Sequence, residues 1–292
     1  MLLRILGIIT PILLVSLAGY LYARLRKPDL TEMNRLTVDL LAPLLIFAGL
    51  TSKHFDLWES RWLLLGGTAV ILGSGLISVV VARVARESVR TLVPPMMFNN
   101  AAFMGLPLVL LALGPERLPA AVALFVVSTL LHMTIGVRLV NPHATLGYLA
   151  KNPLLIASVA GIACNLGGVV LPEWLSTSAS LLGNAAIPLM LFSLGARMVD
   201  VHKTGWQAGV LGAVLCPLSG LAVAWPMMSV LPLQAVEISQ LLMFAALPPA
   251  VLNFLIAERY QQEPDKVASI VLLGNIASLI FVPLGLALAL SA

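Results

Sequence analysis

The sequence predicts an all-α membrane protein: ten transmembrane helices forming two inverted five-helix repeats, with broken, crossing spans 4 and 9. Three observations predict it. The chain is 60% hydrophobic and 10% charged over 292 residues, with a mean hydropathy of +1.01, whereas a soluble domain carries about 25% charge. Ten stretches reach the length of a membrane helix, about 20 residues. They fall near 2–22, 33–51, 62–82, 89–113, 118–138, 153–171, 176–198, 205–226, 233–257 and 265–290. Two of them are interrupted at matching places in the two halves, the pattern that marks a secondary transporter's binding site. The connections are short, so residues 1–292 read as one membrane domain, with repeats over 1–138 and 153–292.

Span 1 lacks a small-residue cleavage site and runs directly into span 2, so it reads as a mature helix. Span 2 carries Asp39. An ionisable residue deep in a bilayer costs about 2.5–3.5 kcal/mol on insertion scales, which makes function, here proton binding, the default. Arg35, four residues earlier, offers neutralisation near the cytoplasmic edge instead. Span 4 lies within Val89–Pro115, which is apolar enough to cross but interrupted by Asn99-Asn100 and Gly105-Leu106-Pro107. Freed N–H and C=O groups cost several kcal/mol each in hydrocarbon, so a break survives only where it lines a protein-buried cavity.

Span 5 brings Ser128, Thr129 and His132, the last either a hydrogen-bonded core residue or a proton relay. Cys164 in span 6 and Cys216 in span 8 are both intramembrane, so neither a disulfide framework nor a metal site is expected. Span 9 opens at Glu237, where a carboxylate suits a helix N-terminus, and breaks at Leu247-Pro248-Pro249 ahead of Asn253. Asn253 reads either as a ligand donor or as an amide that satisfies freed backbone. Span 10 adds Asn275 and Ser278, which with Ser128 and Thr129 surround the crossing or serve as packing contacts.

An internal duplication supports the repeat. Pro43-Leu44-Leu45-Ile46-Phe47-Ala48 in span 2 matches Pro188-Leu189-Met190-Leu191-Phe192-Ser193 in span 7, a shift of 145 residues. Met97-Phe98 matches Met243-Phe244 at a shift of 146. Five spans per half make the second half enter from the opposite side. Breaks at Gly105-Leu106-Pro107 and Pro248-Pro249 then give half-helices whose N-termini face the membrane centre. Each end carries about half a positive charge and unpaired N–H donors. Two of them converging favour an anion.

The sequence pI of 9.3 does not point to nucleic acid, because the basic residues sort by connection rather than onto one face. The odd-numbered connections hold 13 of the 17 Lys and Arg, among them Arg24, Arg86, Arg138, Lys151, Arg197 and Lys203. The positive-inside rule puts those connections in the cytoplasm and both termini outside a cell (inner) membrane.

Asn34-Arg35 with Pro43-Leu44-Leu45, Asn100 with Met104-Gly105 and Pro107, Phe192-Ser193-Leu194-Gly195, Ala245-Ala246-Leu247-Pro248 and Ala257-Glu258-Arg259-Tyr260 together resemble a family. It is the auxin efflux carrier family, which includes the plant PIN proteins and bacterial carriers of organic acids. The resemblance covers nearly the whole chain. It implies a scaffold of spans 1, 2, 6 and 7, a moving core of spans 3–5 and 8–10, and a substrate contact at Asn100. It leaves room for a homodimer through the scaffold. The chain departs from the plant pattern at residues 139–152, a short connection where plant members have a long loop, and at Asn253, where they have a crossover Pro.

The functional expectation is a carrier of small organic anions (carboxylates, including auxin-like ones), working by alternating access, in the efflux direction, without cofactor. The alternative is a proton- or sodium-coupled symporter of related fold. No P-loop motif supports ATP hydrolysis, and no H-E-x-x-H or paired intramembrane Asp supports an enzyme. The candidate substrate-binding residues are Asn99, Asn100, Gly105, Pro107, Pro248, Asn253 and Asn275; those for proton coupling are Asp39 and His132.

Overall fold

A computed structural model describes residues 2–53, 55–145, 147–199 and 205–291; Lys203, counted above among the basic connections, lies outside them. The described residues form no strand. Their helices are α1 (Leu2–Arg26), α2 (Thr31–Leu50), α3 (Arg61–Ala85), α4 (Val89–Met97), α5 (Ala101–Leu113), α6 (Pro115–Val140), α7 (Pro153–Leu166), α8 (Glu173–Arg197), α9 (Trp206–Val230), α10 (Ala235–Ala245), α11 (Leu252–Arg259) and α12 (Pro264–Ser291), besides a short 3-10 helix at Gly147–Lys151. Seven of these, α1, α2, α3, α6, α8, α9 and α12, are long and apolar enough to cross a membrane.

Helix α1 shows how composition becomes packing. Ile5, Ile8, Ile9 and Ile12 recur at helical spacing and are buried, while Leu3, Leu6, Leu14 and Leu17 point outward, an apolar outer face suited to lipid. Helix α9 carries exposed Trp206 and Trp225. At 1.5 Å per residue they stand about 28 Å apart, close to the hydrocarbon thickness of about 30 Å. Amphipathic indoles belong at such interfaces.

The expected spans are altered in two places. Span 6 was expected over 153–171, but α7 stops at Leu166. Gly167 and Gly168 end it, Gly168 at φ +61°, with Val169 N–H closing onto the Cys164 carbonyl; a left-handed residue there favours glycine. Span 4 was expected to break at Gly105-Leu106-Pro107, yet these residues are helical and the break is at 98–100. Pro107, the seventh residue of α5, follows directly on the π turn Ala101–Gly105, whose wider winding accommodates a residue with no N–H for the ladder. The break expected at Pro248-Pro249 is where the chain leaves α10.

Helices α1, α2, α7 and α8 pack on one another, as do α3, α4, α9, α10 and α12, while α6 lies against both α2 and α3. In the first group α1 and α8 approach to backbone contact. A Cβ on Gly195 would collide with the Ser16 carbonyl, and one on Gly19 with the Phe192 carbonyl; such small-residue contacts let membrane helices meet closely. Ser193 donates to Asn34 Oδ1 at 2.8 Å, tying α8 to α2. In the second group the start of α12 is tied to α4. Lys266 pairs with Glu87 at 3.0 Å and Glu263 at 2.8 Å, and Thr91 donates to Glu263. The hydrogen bond from Lys266, then that from Thr91, holds the Glu263 carboxyl below the usual carboxylate range.

Asn165, near the end of α7, holds the α2–α3 connection. Its Nδ2 donates to the Leu50 and Phe55 carbonyls at 3.1 and 3.0 Å, and its Oδ1 accepts from Leu57 N–H at 3.3 Å. Asn165→Ala leaves these backbone groups unmade and is expected to cost about 1–3 kcal/mol. A lowered Tm of the purified protein in detergent checks it; an unchanged Tm contradicts it.

Candidate functional site

The site starts from two breaks that satisfy each other. Phe98 is extended (φ −107°, ψ 97°), which ends α4. On the facing segment, Pro248 and Pro249 have no N–H to continue a ladder. The two stretches pair antiparallel, with Asn99 opposite Pro249. Asn100 N–H donates to the Pro248 carbonyl at 2.7 Å and Ala250 N–H to the Phe98 carbonyl at 2.9 Å. Backbone polarity that hydrocarbon would leave unpaired is thereby closed within the protein.

Side-chain amides complete the crossing. Asn100 Oδ1 caps α5 by accepting from Phe103 N–H at 3.2 Å, and its Nδ2 donates to Asn275 Oδ1 at 3.2 Å. Asn275 donates in turn to the Pro249 and Val271 carbonyls. Asn99 Nδ2 donates to the Phe244 carbonyl at 2.6 Å, at the end of α10. Asn253 Nδ2 donates to the Phe98 and Ala250 carbonyls at 2.9 and 3.0 Å, so its donors serve the broken backbone. Asn99 Oδ1, Asn253 Oδ1 and His132 Nε2 are buried without a partner. The His132 ring stacks on Phe98, centroids 4.1 Å apart and 5° from parallel.

A cavity of about 180 Å³ adjoins the crossing. Its polar wall is Asn99, Asn100, Ser128, Thr129, His132 and Arg197; Phe103, Phe125 and Leu255 are among its apolar walls. The lining runs to Asn152 and Arg197, at the start of α7 and the end of α8, and includes no residue of α3 or α10. A second cavity of about 550 Å³ shares Arg197 and Val251 with it and reaches Asn275. A volume below the 300–1,000 Å³ of drug-sized sites suits a small solute.

Asn99, Asn100 and His132 therefore lie together on the cavity wall, and Asn275 lines the neighbouring one. Gly105 sits against Leu247, Pro107 is buried in α5, Pro248 contributes its carbonyl to the crossing, and Asn253 stands behind the wall. Asp39 requires a correction. Arg35 pairs with Glu32 at 3.5 Å, and Asp39 is exposed and has no ion pair among the described residues. The cause is a π turn at Thr37–Leu41, whose wider i→i+5 winding spoils the i, i+4 alignment on which the pairing depends.

The membrane transport protein family model matches residues 5–148 and 143–286. The chain belongs to that family. It is a transporter of the auxin efflux carrier family, related to the plant PIN proteins. This family member is 26% identical to an uncharacterized transporter of Methanothermobacter thermautotrophicus, over 94% of each chain. It is 25% identical to an uncharacterized transporter of Methanocaldococcus jannaschii over 64% of each chain. It is 24% identical to auxin efflux carrier component 6 of Arabidopsis thaliana, over 58% of this chain and 28% of the plant protein. The transporter thus spans less than two thirds of the Methanocaldococcus and Arabidopsis proteins and nearly all of the Methanothermobacter one.

Two features of this transporter's site escaped the sequence reading. Arg197 was counted only as a basic residue of a connection, yet it walls both cavities. The available signal was its place two residues after the Ser193-Leu194-Gly195 motif. The other is the set of π turns at Thr37–Leu41, Ala101–Gly105 and His132–Gly136. Each lends a residue to the 180 Å³ cavity, namely Val38, Phe103 and His132. Such turns recur at functional sites.

Proposed function

We propose that this chain is a secondary carrier of small organic anions that works by alternating access, with efflux as its direction. One observation carries the reading: two broken helices cross through paired backbone beside a cavity that their own Asn99 and Asn100 help to line. The N-termini of α5 and α11 rise from that crossing, so their dipoles present positive ends to its surroundings. In this reading the two groups of helices are the parts that move. Helices α1, α2, α7 and α8 form the scaffold, the others the core, and the halves 1–138 and 153–292 are inverted repeats; two separate family matches support the duplication. The cavity's lining reaches Asn152 and Arg197, beside basic connections that the positive-inside rule assigns to the cytoplasm. A carrier resting in that state is poised to load from inside, with both termini outside and dimerisation through the scaffold.

The unpaired Asp39 favours a second reading, a proton-coupled symporter. The test of the carrier itself is purified protein in proteoliposomes, assayed for movement of labelled acetate, malate, benzoate and indole-3-acetate. Saturable flux of at least one of them, absent from empty liposomes, is the expected result. No protein-dependent flux of any of the four overturns the anion-carrier reading.

A further inference from the structure

We infer that Arg197 is the cation that receives the charged group of the transported anion. The inference rests on the carrier reading. Arg197 ends α8 and forms part of the wall of both the 180 Å³ cavity at the crossing and the 550 Å³ cavity beside it. Arg197 and Val251 are the lining residues the two spaces share. The Arg197 guanidinium has no ion pair among the described residues, whose three salt bridges all lie elsewhere. Its Nε is buried and has no hydrogen-bond partner.

An arginine has five N–H donors and no acceptor capacity, so a half-buried one whose Nε is enclosed and unpartnered invites an acceptor from outside the fold. The rest of the wall supplies none with charge. The larger cavity is otherwise lined by residues such as Leu194, Val251, Phe254 and Asn275, and among the described residues neither cavity has an acidic lining residue. The planar fork of a guanidinium matches a carboxylate in two parallel hydrogen bonds. The amides at the crossing cannot supply that charge, and most of their donors are already engaged with backbone. The geometry divides the labour: Arg197, on a helix packed with α1 and α2, takes the charge, while the Asn100 side of the cavity takes the polar remainder. Bound anion bridges the two helix groups, so the cation also links binding to their relative motion.

The test is a thermal-shift titration of the purified full chain with acetate, malate, benzoate and indole-3-acetate, and with benzamide and indole-3-acetamide as uncharged counterparts. Wild type, Arg197→Gln, Arg197→Lys and Asp200→Asn are compared; Asp200 follows Arg197 by three residues and lies outside the described residues. Arg197→Gln is expected to weaken carboxylate binding at least tenfold and leave binding of the uncharged amides unchanged. Arg197→Lys should keep part of the carboxylate affinity, and Asp200→Asn all of it. Carboxylate binding retained in Arg197→Gln overturns the inference while sparing the carrier reading. Equal loss of carboxylates and amides, or recovery of binding when Asp200→Asn is added to Arg197→Gln, reassigns Arg197 to a structural pair and also overturns it. If the wild type responds to none of the four acids, the carrier reading fails and takes this inference with it.

Discussion

Asn100→Ala is expected to abolish anion binding while the protein still inserts and purifies as a monodisperse species. Asn100 is buried, its Oδ1 caps α5, and one N–H of its amide reaches Asn275. The other N–H is the donor left for a ligand in the cavity that Asn100 lines. A polar ligand group deprived of its donor in a dehydrated pocket loses about 1–3 kcal/mol, which is about five- to a hundredfold in affinity. The cap is lost as well, a cost of about 1 kcal/mol in stability. Asn100→Asp keeps a capping oxygen for Phe103 N–H and offers the anion repulsion in place of a donor, while setting a buried carboxylate against Asn275 Oδ1. Isothermal calorimetry should therefore find binding lost in both variants, each with a lowered Tm. Binding unchanged in Asn100→Ala removes Asn100 from the site.

The same residue marks how far the sequence carried. Composition and span length alone lead to the helical membrane class, because the hydrophobic effect is read out directly in apolar runs of fixed length. The Asn and Pro residues at the crossing were legible for a related reason: polar or ladder-breaking residues in a bilayer must be compensated locally, so they stand out. Where the first helix breaks was not legible. Gly105-Leu106-Pro107 looks like an interruption, but the π turn before Pro107 absorbs it within α5, and the decisive event is the extended Phe98 pairing with a segment some 150 residues away. The π turns leave no compositional trace, and one of them separates Asp39 from Arg35. Arg197 escaped because one guanidinium at a helix end serves equally as a topology signal or a cavity wall. Only the packing of α8 against the crossing distinguishes the two.

The coupling of transport should follow from charge. One negative charge leaving an inside-negative cell gains about 2.3 kcal/mol per 100 mV, enough for roughly fiftyfold outward accumulation. Export of a monoanion therefore needs no coupling ion, whereas import would need a proton or sodium. Asp39 lacks the Arg35 partner expected of it from the sequence. It is nevertheless absent from the cavity wall, where its neighbour Val38 stands instead, so a proton on Asp39 has no direct contact with the bound anion. Electrogenic, sodium-insensitive anion export is the expected behaviour of this carrier, with Asp39→Asn retaining most of the transport. In proteoliposomes at equal pH, an imposed potential should drive the labelled anion towards the positive side at a rate unaffected by sodium. Flux that ignores the potential, follows a pH gradient and fails in Asp39→Asn would instead establish a proton symporter. That result would place the proton on α2 and the anion at the crossing, two sites coupled only through movement of the scaffold against the core.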